Sequence, residues 1–358
     1  MTGVVLQVLP GVGPALRQEA ARAGLIVADA VAPAGDRGVS PASDQEEFAL
    51  RGEATPALLS AVGNLRCAVA GYLVITSPER RPSGLLATEV TRQVHDALDL
   101  LARQRPRVRF AGLRLEAAGS DTPLMLRVAE EVAALAGVPV DPDGDLLVRV
   151  RRARGGAPGW ELLIRTTPRP LATRAWRTER YPGALNATIA AAVVDQVGLA
   201  PTFADLMCGS GTLTVERLAR REVRVERGLA IDQAPEATEA ARRHLRAARL
   251  RGKVEVRTGD VLDLGSEGAE SEAGYETIVC NPPWGELIGE HETNETLYVG
   301  LLDAVDRLGS PDLRAGILTH DIRRFERVLA ADQRWHVERG PQYFAKGHRP
   351  RLYLLTRA

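Results

Sequence analysis

The stretch VCNPPWGE, at residues 279–286, combines residue types that are unusual at the end of an apolar strand. Proline lacks a backbone N–H and has a fixed φ, so Pro282 and Pro283 end the strand and hold their neighbours in one conformation. Asn281 offers a side-chain carbonyl, and Trp284 offers a flat aromatic face. Together they are suited to hold a planar amine, whose N–H groups the carbonyl accepts and whose ring stacks on the tryptophan. A strand-ending turn with a packed tryptophan is the alternative interpretation of this motif.

A second set of polar residues follows earlier strands in the same part of the chain. The sequence FADLMCGSGTLTVE places Asp205 near the end of a strand, and Gly209 and Gly211 at the turn into a helix. Glycines let a ligand approach the backbone closely, and a helix N-terminus offers unpaired N–H groups. Asp232 and Asp260 end the next two strands, GLAID and VRTGD. A nucleotide or a flavin would also fit such a glycine turn, and each acid taken alone is compatible with an ordinary turn residue.

The elements that must position these residues alternate between helix and short apolar strand from about residue 183 to the end. This alternation predicts an α/β fold with a parallel, doubly wound sheet. The last two strands, HVERGPQYF and RLYLLTR, have no helix between them, so the sequence predicts an antiparallel hairpin at one edge. The carboxyl ends of parallel strands meet at one edge of a sheet. Asp205, Asp232, Asp260 and Asn281 are therefore expected to share one ligand-binding crevice.

With these motifs, residues 183–358 resemble the class I S-adenosylmethionine-dependent methyltransferases, which have a Rossmann-like domain. The resemblance implies S-adenosylmethionine as the cofactor, which agrees with the lack of a GxGxxG motif because this cofactor has no phosphate. It places Gly209 and Gly211 around the methionine part and Asp205 beside the amino group. The same resemblance implies other cofactor-binding residues, namely Asp232 at the ribose hydroxyls, Asp260 near the adenine amine, and Asn186, Cys208, Val261 and Asn281.

Within this class, the pattern [DNS]-P-P-[YFW] marks methylation of an amino group on a base or of a glutamine amide. The resemblance therefore makes Asn281, Pro282, Pro283 and Trp284 the catalytic residues. The Asn281 side-chain carbonyl and the Pro282 backbone carbonyl would orient an amine whose lone pair is delocalised into its ring. Trp284 would stack on the target base after that base leaves its helix or loop.

Composition narrows the class of protein further. The chain has 358 residues, enough for two or three domains, and no run of about 18 apolar residues that would predict a membrane span. Its cysteines, Cys67, Cys208 and Cys280, are scattered, and its six histidines lack metal-ligand spacing. We therefore expect a cytoplasmic protein with no signal peptide, no membrane partner and no bound metal.

Arginine dominates the basic residues, since all but two of the 46 lysines and arginines are arginine. Residues 149–180 hold nine arginines against two glutamates, and residues 334–357 are also basic, although the formal net charge is zero. Guanidinium groups match phosphate oxygens, so both stretches predict RNA binding. A general preference for arginine on solvated faces is the alternative explanation. The candidate RNA-binding residues are Arg149, Arg151, Arg152, Arg154, Arg174, Arg177, Lys346 and Arg349.

The first half of the chain has its own α+β organisation. Residues 1–80 predict strand, helix, strand, helix, strand, and residues 81–170 predict helix, strand, helix, strand, strand. The first segment resembles a ferredoxin-like domain and the second resembles a THUMP RNA-binding domain. A linker at 171–182 then leads to the Rossmann-like domain at 183–358. In this layout the whole chain resembles THUMP-domain RNA methyltransferases of the TrmN-like tRNA guanine-N2 type.

This resemblance implies a monomeric enzyme that forms N2-methylguanosine, with the tRNA acceptor stem as its substrate. The chain departs from the family in its linker, which reads RAWR where the family has RGYR, and in Trp284, where many relatives have tyrosine. Guanine in ribosomal RNA, adenine in DNA and a protein glutamine stay open as alternative substrates. A non-enzymatic RNA adaptor stays open as a different class of function.

Overall fold

The computed structural model describes residues 3–30, 46–154, 158–250, 252–264, 273–283, 293–344 and 347–358. These residues form two compact units. The first comprises the chain up to Leu9 together with Leu16–Ala172, and the second comprises Pro10–Ala15 together with Thr173–Ala358. No helix in the described ranges is both long and apolar enough to cross a lipid bilayer.

The first unit is built on a mixed sheet that has seven strands within the described residues. The strands are β1 (Gly3–Val8), β2 (Val27–Ala30), β3 (Glu46–Leu50), β4 (Ala70–Ser77), β5 (Leu113–Ala117), β6 (Leu146–Arg152) and β7 (Trp160–Arg165). The helices are α1 (Gly13–Arg22), α2 (Pro56–Val62), α3 (Thr88–Gln104) and α4 (Pro123–Ala136). The strand order is β2-β3-β1-β4-β7-β6-β5, and only β5 and β6 are parallel.

Strands from both predicted segments of the first half belong to this one sheet. Strand β4, before residue 80, pairs with β7, after it, from Tyr72–Arg165 to Ser77–Trp160. The assignment of residues 81–170 to a THUMP-like domain stays a prediction. Strand β2 was not predicted, because an edge strand of four residues is too short for its alternation to stand out.

The helices of this unit follow from local sequence signals. In α3, Val90, Val94, Ala97 and Leu101 recur every three or four residues and are all buried, so one apolar stripe faces the sheet. Helix α4 begins with a proline, which needs no N–H there, and ends at Gly137 in the left-handed conformation with φ +67°.

The second unit is built on another sheet with seven strands among the described residues. The strands are β8 (Thr202–Leu206), β9 (Arg227–Asp232), β10 (Glu255–Thr258), β11 (Tyr275–Cys280), β12 (Gly309–Thr319), β13 (Trp335–Gln342) and β14 (Arg351–Arg357). The helices are α5 (Ala187–Val197), α6 (Thr212–Ala219), α7 (Pro235–Ala247), α8 (Thr293–Leu308) and α9 (Ile322–Ala331). The strand order is β10-β9-β8-β11-β12-β14-β13.

The predicted doubly wound sheet is confirmed, with one refinement at its edge. Strands β8 to β12 are parallel, and β14 is antiparallel to both β12 and β13. The antiparallel strand therefore lies one position in from the edge, and β13 is the edge strand. The middle strands are buried on both faces: Ala204 and Ile278 lie on one face, Phe203 and Val279 lie on the other, and all four are buried.

The order of the strands fixes where a ligand can bind. The chain runs from β8 outward to β9 and β10, then returns to the other side of β8 to form β11 and β12. This reversal leaves a crevice at the carboxyl ends of β8 and β11, which is where open α/β sheets bind their ligands.

Candidate active site

The turn after β8 contains three residues in left-handed backbone conformations. Gly209 and Gly211 have φ of +54° and +75°, which glycine adopts without strain. Met207 has φ +58°, which costs free energy for a side chain of this size and is typical of functional sites. Among the described residues, a Cβ at Gly209 would meet no atom within 4 Å, whereas one at Gly211 would lie 3.0 Å from the Cβ of Ala241. The turn thus packs on α7 at Gly211 and leaves open space at Gly209.

Asp232 fastens this turn to the end of β9. Its Oδ2 accepts a hydrogen bond from the Gly209 N–H at 2.8 Å, and its Oδ1 accepts one from the Ala234 N–H at 3.0 Å. Each carboxylate oxygen has a second lone pair. Asp232 can therefore accept hydrogen bonds from ligand hydroxyls while it holds the turn in place.

Asp205, on β8, is a fully buried acid with one oxygen free. Its Oδ2 accepts hydrogen bonds from the Thr214 N–H at 3.0 Å and from the Thr214 hydroxyl at 2.5 Å. Its Oδ1 has no hydrogen-bond partner within the described part of the chain. Burial raises the pKa of Asp205 to about 7, although the two bonds from Thr214 act to lower it. The free oxygen is suited to an ammonium group, which would stabilise the ionised form.

Three other predicted cofactor residues belong to the same unit. Asn186 is the N-cap of α5, and its Oδ1 accepts hydrogen bonds from the N–H and hydroxyl of Thr188 at 2.9 and 2.6 Å. Asp260 is exposed and caps a short 3₁₀ turn by accepting from the Leu262 N–H at 2.9 Å. Val261 is buried beside it. Asp260 and Val261 thus lie beyond β10, two strands away from β8.

The cysteines of this edge carry neutral thiols. Burial raises the pKa of both Cys208 and Cys280 well above the usual value, so neither is an activated nucleophile. The backbone N–H of Cys208 donates to the Ile231 carbonyl at 2.8 Å. The predicted cofactor residue Cys208 therefore helps to hold the turn through its backbone.

The corner that contains Asn281 directly follows β11. Cys280 pairs with Leu206 of β8, so Asn281 and Met207 follow adjacent strands, which lie about 4.8 Å apart. The Asn281 Oδ1 is buried and has no hydrogen-bond partner among the described residues. The corner therefore presents a desolvated acceptor beside the glycine turn.

The rest of this motif is only partly described. Pro282 is buried and Pro283 is exposed, so the two prolines form a rigid exit from the sheet. Trp284 lies outside the described residues, and its predicted role in stacking stays a prediction.

A buried cluster behind the turn was missed in the sequence. The rings of Trp176 and His244 meet edge to face, with 5.3 Å between their centroids, and His244 Nδ1 lies 2.9 Å from the Ser210 carbonyl oxygen. Trp176 is 7% exposed and His244 is 0% exposed. One signal in the sequence could have indicated this cluster: the linker sequence RAWR contains a single tryptophan among basic residues.

The two linker arginines that are predicted to bind RNA form contacts within this unit. Arg174 forms a buried ion pair with Glu216 of α6 at 2.8 Å. Arg177 donates to the Thr212 hydroxyl at 3.0 Å and to the Leu185 carbonyl at 2.8 Å. Both guanidinium groups thus fasten the linker beside the start of α6.

The arginines of the first unit are also mostly engaged within the protein. Arg151 pairs with Glu47 at 2.7 Å and with Glu161 at 2.8 Å. Arg154 pairs with Glu47 at 3.1 Å, and Arg149 pairs with a glutamate of β5 at 2.5 Å. Glu47 is almost fully buried. The guanidinium groups of Arg151 and Arg154 therefore neutralise a carboxylate of the sheet, which leaves them less able to bind a phosphate.

Three predicted RNA contacts remain, and the structure describes two of them. Arg152 is exposed, and its guanidinium lies 4.2 Å from the centroid of the Trp160 ring. Arg349 is exposed, and its guanidinium lies 5.1 Å from the centroid of the Phe344 ring. Lys346 lies outside the described residues.

The groups at the carboxyl edge of the second sheet fit S-adenosylmethionine. The open space at Gly209 leaves room for a ligand against the backbone, and the free Oδ1 of Asp205 suits its amino group. Asp232 retains lone pairs for ribose hydroxyls. The strand order and this edge define a Rossmann-like methyltransferase domain of the S-adenosylmethionine-dependent class. Residues 174–349 match the family model described as UPF0020, RMKL-like, methyltransferase domain.

Curated relatives match the chain over part of its length. A ribosomal RNA large subunit methyltransferase K/L from Hahella chejuensis is 27% identical over an alignment of 222 residues that covers 48% of this chain and 30% of that protein. A tRNA (guanine(6)-N2)-methyltransferase from Archaeoglobus fulgidus is 29% identical over 171 residues, 42% of this chain and 43% of that protein. The matched parts thus span less than half of each relative.

The fold as a whole also has a solved counterpart. The crystal structure of TrmN from Thermus thermophilus superposes with a TM-score of 0.69 and covers 100% of both chains at 20% identity. The two chains therefore share a fold.

Proposed function

We propose that this protein is an S-adenosylmethionine-dependent RNA methyltransferase that forms N2-methylguanosine, with a guanosine of the tRNA acceptor stem as its substrate. The proposal depends on the buried Asn281 Oδ1, which lacks a hydrogen-bond partner within the described residues and lies beside the glycine turn. A buried acceptor without a partner costs free energy, so a ligand that donates to it is expected. The exocyclic amine of guanine is a donor of this kind.

In the proposed complex, Asn281 and Pro282 orient that amine. The Asn281 Oδ1 and the Pro282 backbone carbonyl accept its two N–H groups, which directs the nitrogen lone pair away from both acceptors. The acceptors also stabilise the positive charge that develops on the nitrogen during transfer. Neither has to be a strong base, because the proton leaves to solvent after the methyl group is attached.

Other residues of the edge would hold the cofactor. When bound, S-adenosylmethionine supplies an electrophilic methyl group. The Oδ1 of Asp205 would bind its amino group, and the oxygens of Asp232 would accept from its ribose hydroxyls. Asp260 and Val261 extend the crevice beyond β10, where the adenine is proposed to bind.

RNA as the substrate is supported by the relatives. One is named for ribosomal RNA and another for N2 of a tRNA guanine. The exposed guanidinium groups of Arg152 and Arg349 supply positive charge for phosphates. The match to the ribosomal RNA enzyme favours a second candidate, a guanosine of large-subunit ribosomal RNA.

The reaction can be tested with the full chain. Labelled S-adenosylmethionine is incubated with unmodified total tRNA and, separately, with unmodified large-subunit ribosomal RNA, and the nucleosides are then analysed. We expect N2-methylguanosine in tRNA. The same product in ribosomal RNA alone would select the second candidate, and N6-methyladenosine alone, or no label in either RNA, would reject the proposal.

Substitutions at Asn281 test its role in that reaction. Asn281→Ala should lower turnover by at least about a hundredfold, as loss of a transition-state hydrogen bond does, and should leave the affinity for S-adenosylhomocysteine unchanged. Asn281→Asp keeps an acceptor oxygen and should retain more activity. The control is Asn64→Ala, which alters an exposed asparagine that donates to the Ser60 carbonyl of the first unit. Normal turnover by Asn281→Ala would remove this residue from the mechanism.

A further inference from the structure

A basic patch continues the carboxyl edge of the second sheet beyond the Asn281 corner. We call it the edge patch, and it consists of His320, Arg323, Phe344, His348 and Arg349. All five residues lie within the described ranges of the second unit. The cofactor-binding groups described above do not include any of them.

Strand pairing places this patch next to the corner. Cys280 pairs with Ile317 of β12, so Asn281 lies one residue beyond this pair and His320 three residues beyond it, just past the ends of two neighbouring strands. Thr319, which precedes His320, pairs with Arg351 at the start of β14. Neighbouring strands lie about 4.8 Å apart. The patch therefore begins about one strand away from the Asn281 corner.

Contacts within the patch hold its side chains in position. The rings of His320 and His348 meet edge to face with 5.4 Å between their centroids. The Arg349 guanidinium lies 5.1 Å from the centroid of the Phe344 ring, and the Arg349 carbonyl accepts a hydrogen bond from the Gln342 amide at 2.9 Å. A guanidinium held against an aromatic ring loses little additional freedom when it binds a phosphate or stacks on a base.

The charge balance of the patch differs from that of the first unit. Arg323 and Arg349 have no carboxylate partner among the described residues, and Asp321, the acid within this stretch, already pairs with Arg324. By contrast, Arg149, Arg151 and Arg154 of the first unit are paired with glutamates, although Arg152 has no such partner among the described residues. The edge patch therefore offers positive charge to phosphates beside the proposed catalytic corner.

We propose that the edge patch binds the RNA backbone immediately next to the nucleotide that is methylated. Arg349 and Arg323 contact phosphates, and the imidazoles of His320 and His348 donate to phosphate or sugar oxygens. This inference depends on the proposed function, because it assumes an RNA substrate at the Asn281 corner. It assigns the contact that holds the target nucleotide to the catalytic unit itself, rather than to the arginines of β6.

The test measures binding of an unmodified tRNA transcript to the full chain at salt concentrations from about 50 to about 200 mM, a range over which a protein that contacts several phosphates loses much of its affinity. Arg349→Ala removes one phosphate contact, so it should weaken binding about tenfold at 0.1 M salt and reduce the salt slope by about 0.7 to 0.9. Arg323→Ala should act in the same direction. The dissociation constant for S-adenosylhomocysteine should not change.

The matched control is Arg314→Ala. Arg314 is exposed, lies on β12 like the residues that lead to the patch, and is five positions before Thr319, toward the opposite edge of the sheet. Equal effects of Arg349→Ala and Arg314→Ala, or no effect of either, would overturn the inference. Failure of the wild-type protein to bind both this transcript and a ribosomal RNA transcript would instead count against the proposed function.

Discussion

The imidazole Nδ1 of His244 lies 2.9 Å from the carbonyl oxygen of Ser210, in the middle of the glycine turn. A carbonyl can only accept, so this nitrogen carries the proton and donates. The bond fixes one peptide plane of the turn, and the Gly211 N–H in turn donates to the Cys208 carbonyl at 2.9 Å. Because His244 is fully buried and packs on Trp176, the linker supports the glycine turn.

His244→Leu should therefore weaken cofactor binding without changing the chemical step. The substitution leaves the Ser210 carbonyl buried without its donor and lets the turn relax, which corresponds to a loss of about three- to tenfold in affinity. Calorimetric titration with S-adenosylhomocysteine measures this effect directly. In steady-state kinetics, KM for S-adenosylmethionine should rise while kcat is retained.

His244→Asn is the informative control for this prediction. The asparagine Nδ2 occupies nearly the position of the histidine Nδ1 and can donate to the same carbonyl. It should restore most of the affinity, although it loses the ring contact with Trp176. If both variants bind equally tightly, or equally poorly, the hydrogen bond does not position the turn.

The part of the site that was predictable from sequence is the part set by local chain signals. The glycines of the turn need positive φ, and the acids and the asparagine follow apolar strands whose carboxyl ends meet at one edge. The predicted class I methyltransferase fold is confirmed for this reason. Pro282 and Pro283 likewise marked the end of β11 through chemistry that is visible in the sequence itself.

Other features depend on contacts between residues distant in sequence. The Trp176–His244 contact joins residues 68 positions apart, and no local periodicity reports it. The sequence likewise shows Arg151 as a basic residue in a basic stretch, while its partner Glu47 is 104 positions away. A count of charges along the chain therefore overestimates how many arginines are available to a phosphate.

Asp205 predicts a proton exchange linked to cofactor binding. Burial raises its folded pKa to about 7, well above that of an exposed aspartate, so the cofactor-free protein holds it largely protonated at pH 6. Ionisation of Asp205 lowers the free energy of unfolding as the pH rises from about 4 to about 7, because over that range the folded state binds more protons than the unfolded state. An ammonium group at the free Oδ1 favours the ionised form and so lowers the pKa.

Binding of S-adenosylhomocysteine at pH 6 should therefore release up to about one proton. Calorimetry in two buffers of different ionisation enthalpy measures the number released. At pH 8.5 the release from Asp205 should disappear, because the carboxyl is already ionised. Asp205→Asn should show no release from this position at either pH. A wild-type release that persists unchanged in Asp205→Asn would assign the proton to another group and remove Asp205 from contact with the amino group.

Two adjacent arginines in the basic stretch of the first unit are predicted to have different roles, one in the stability of the sheet and the other in RNA binding. Arg151 holds both Glu47 and Glu161, whereas Arg152 is exposed and lies over the ring of Trp160. Arg151→Ala leaves a nearly buried carboxylate with one remaining partner, Arg154, and should destabilise the sheet by about 2 kcal/mol, between the values for exposed and buried ion pairs. Arg152→Ala should leave the sheet intact and weaken RNA binding.

Two measurements separate these effects in the full chain. Hydrogen exchange followed by mass spectrometry should show opening of β6 and β7 increased about thirtyfold in Arg151→Ala, as 2 kcal/mol requires, and little changed in Arg152→Ala. Binding to the tRNA transcript should show a smaller salt slope for Arg152→Ala and an unchanged slope for Arg151→Ala. If Arg151→Ala instead lowers the slope while exchange stays normal, its ion pairs do not support the sheet and the residue is an RNA contact after all.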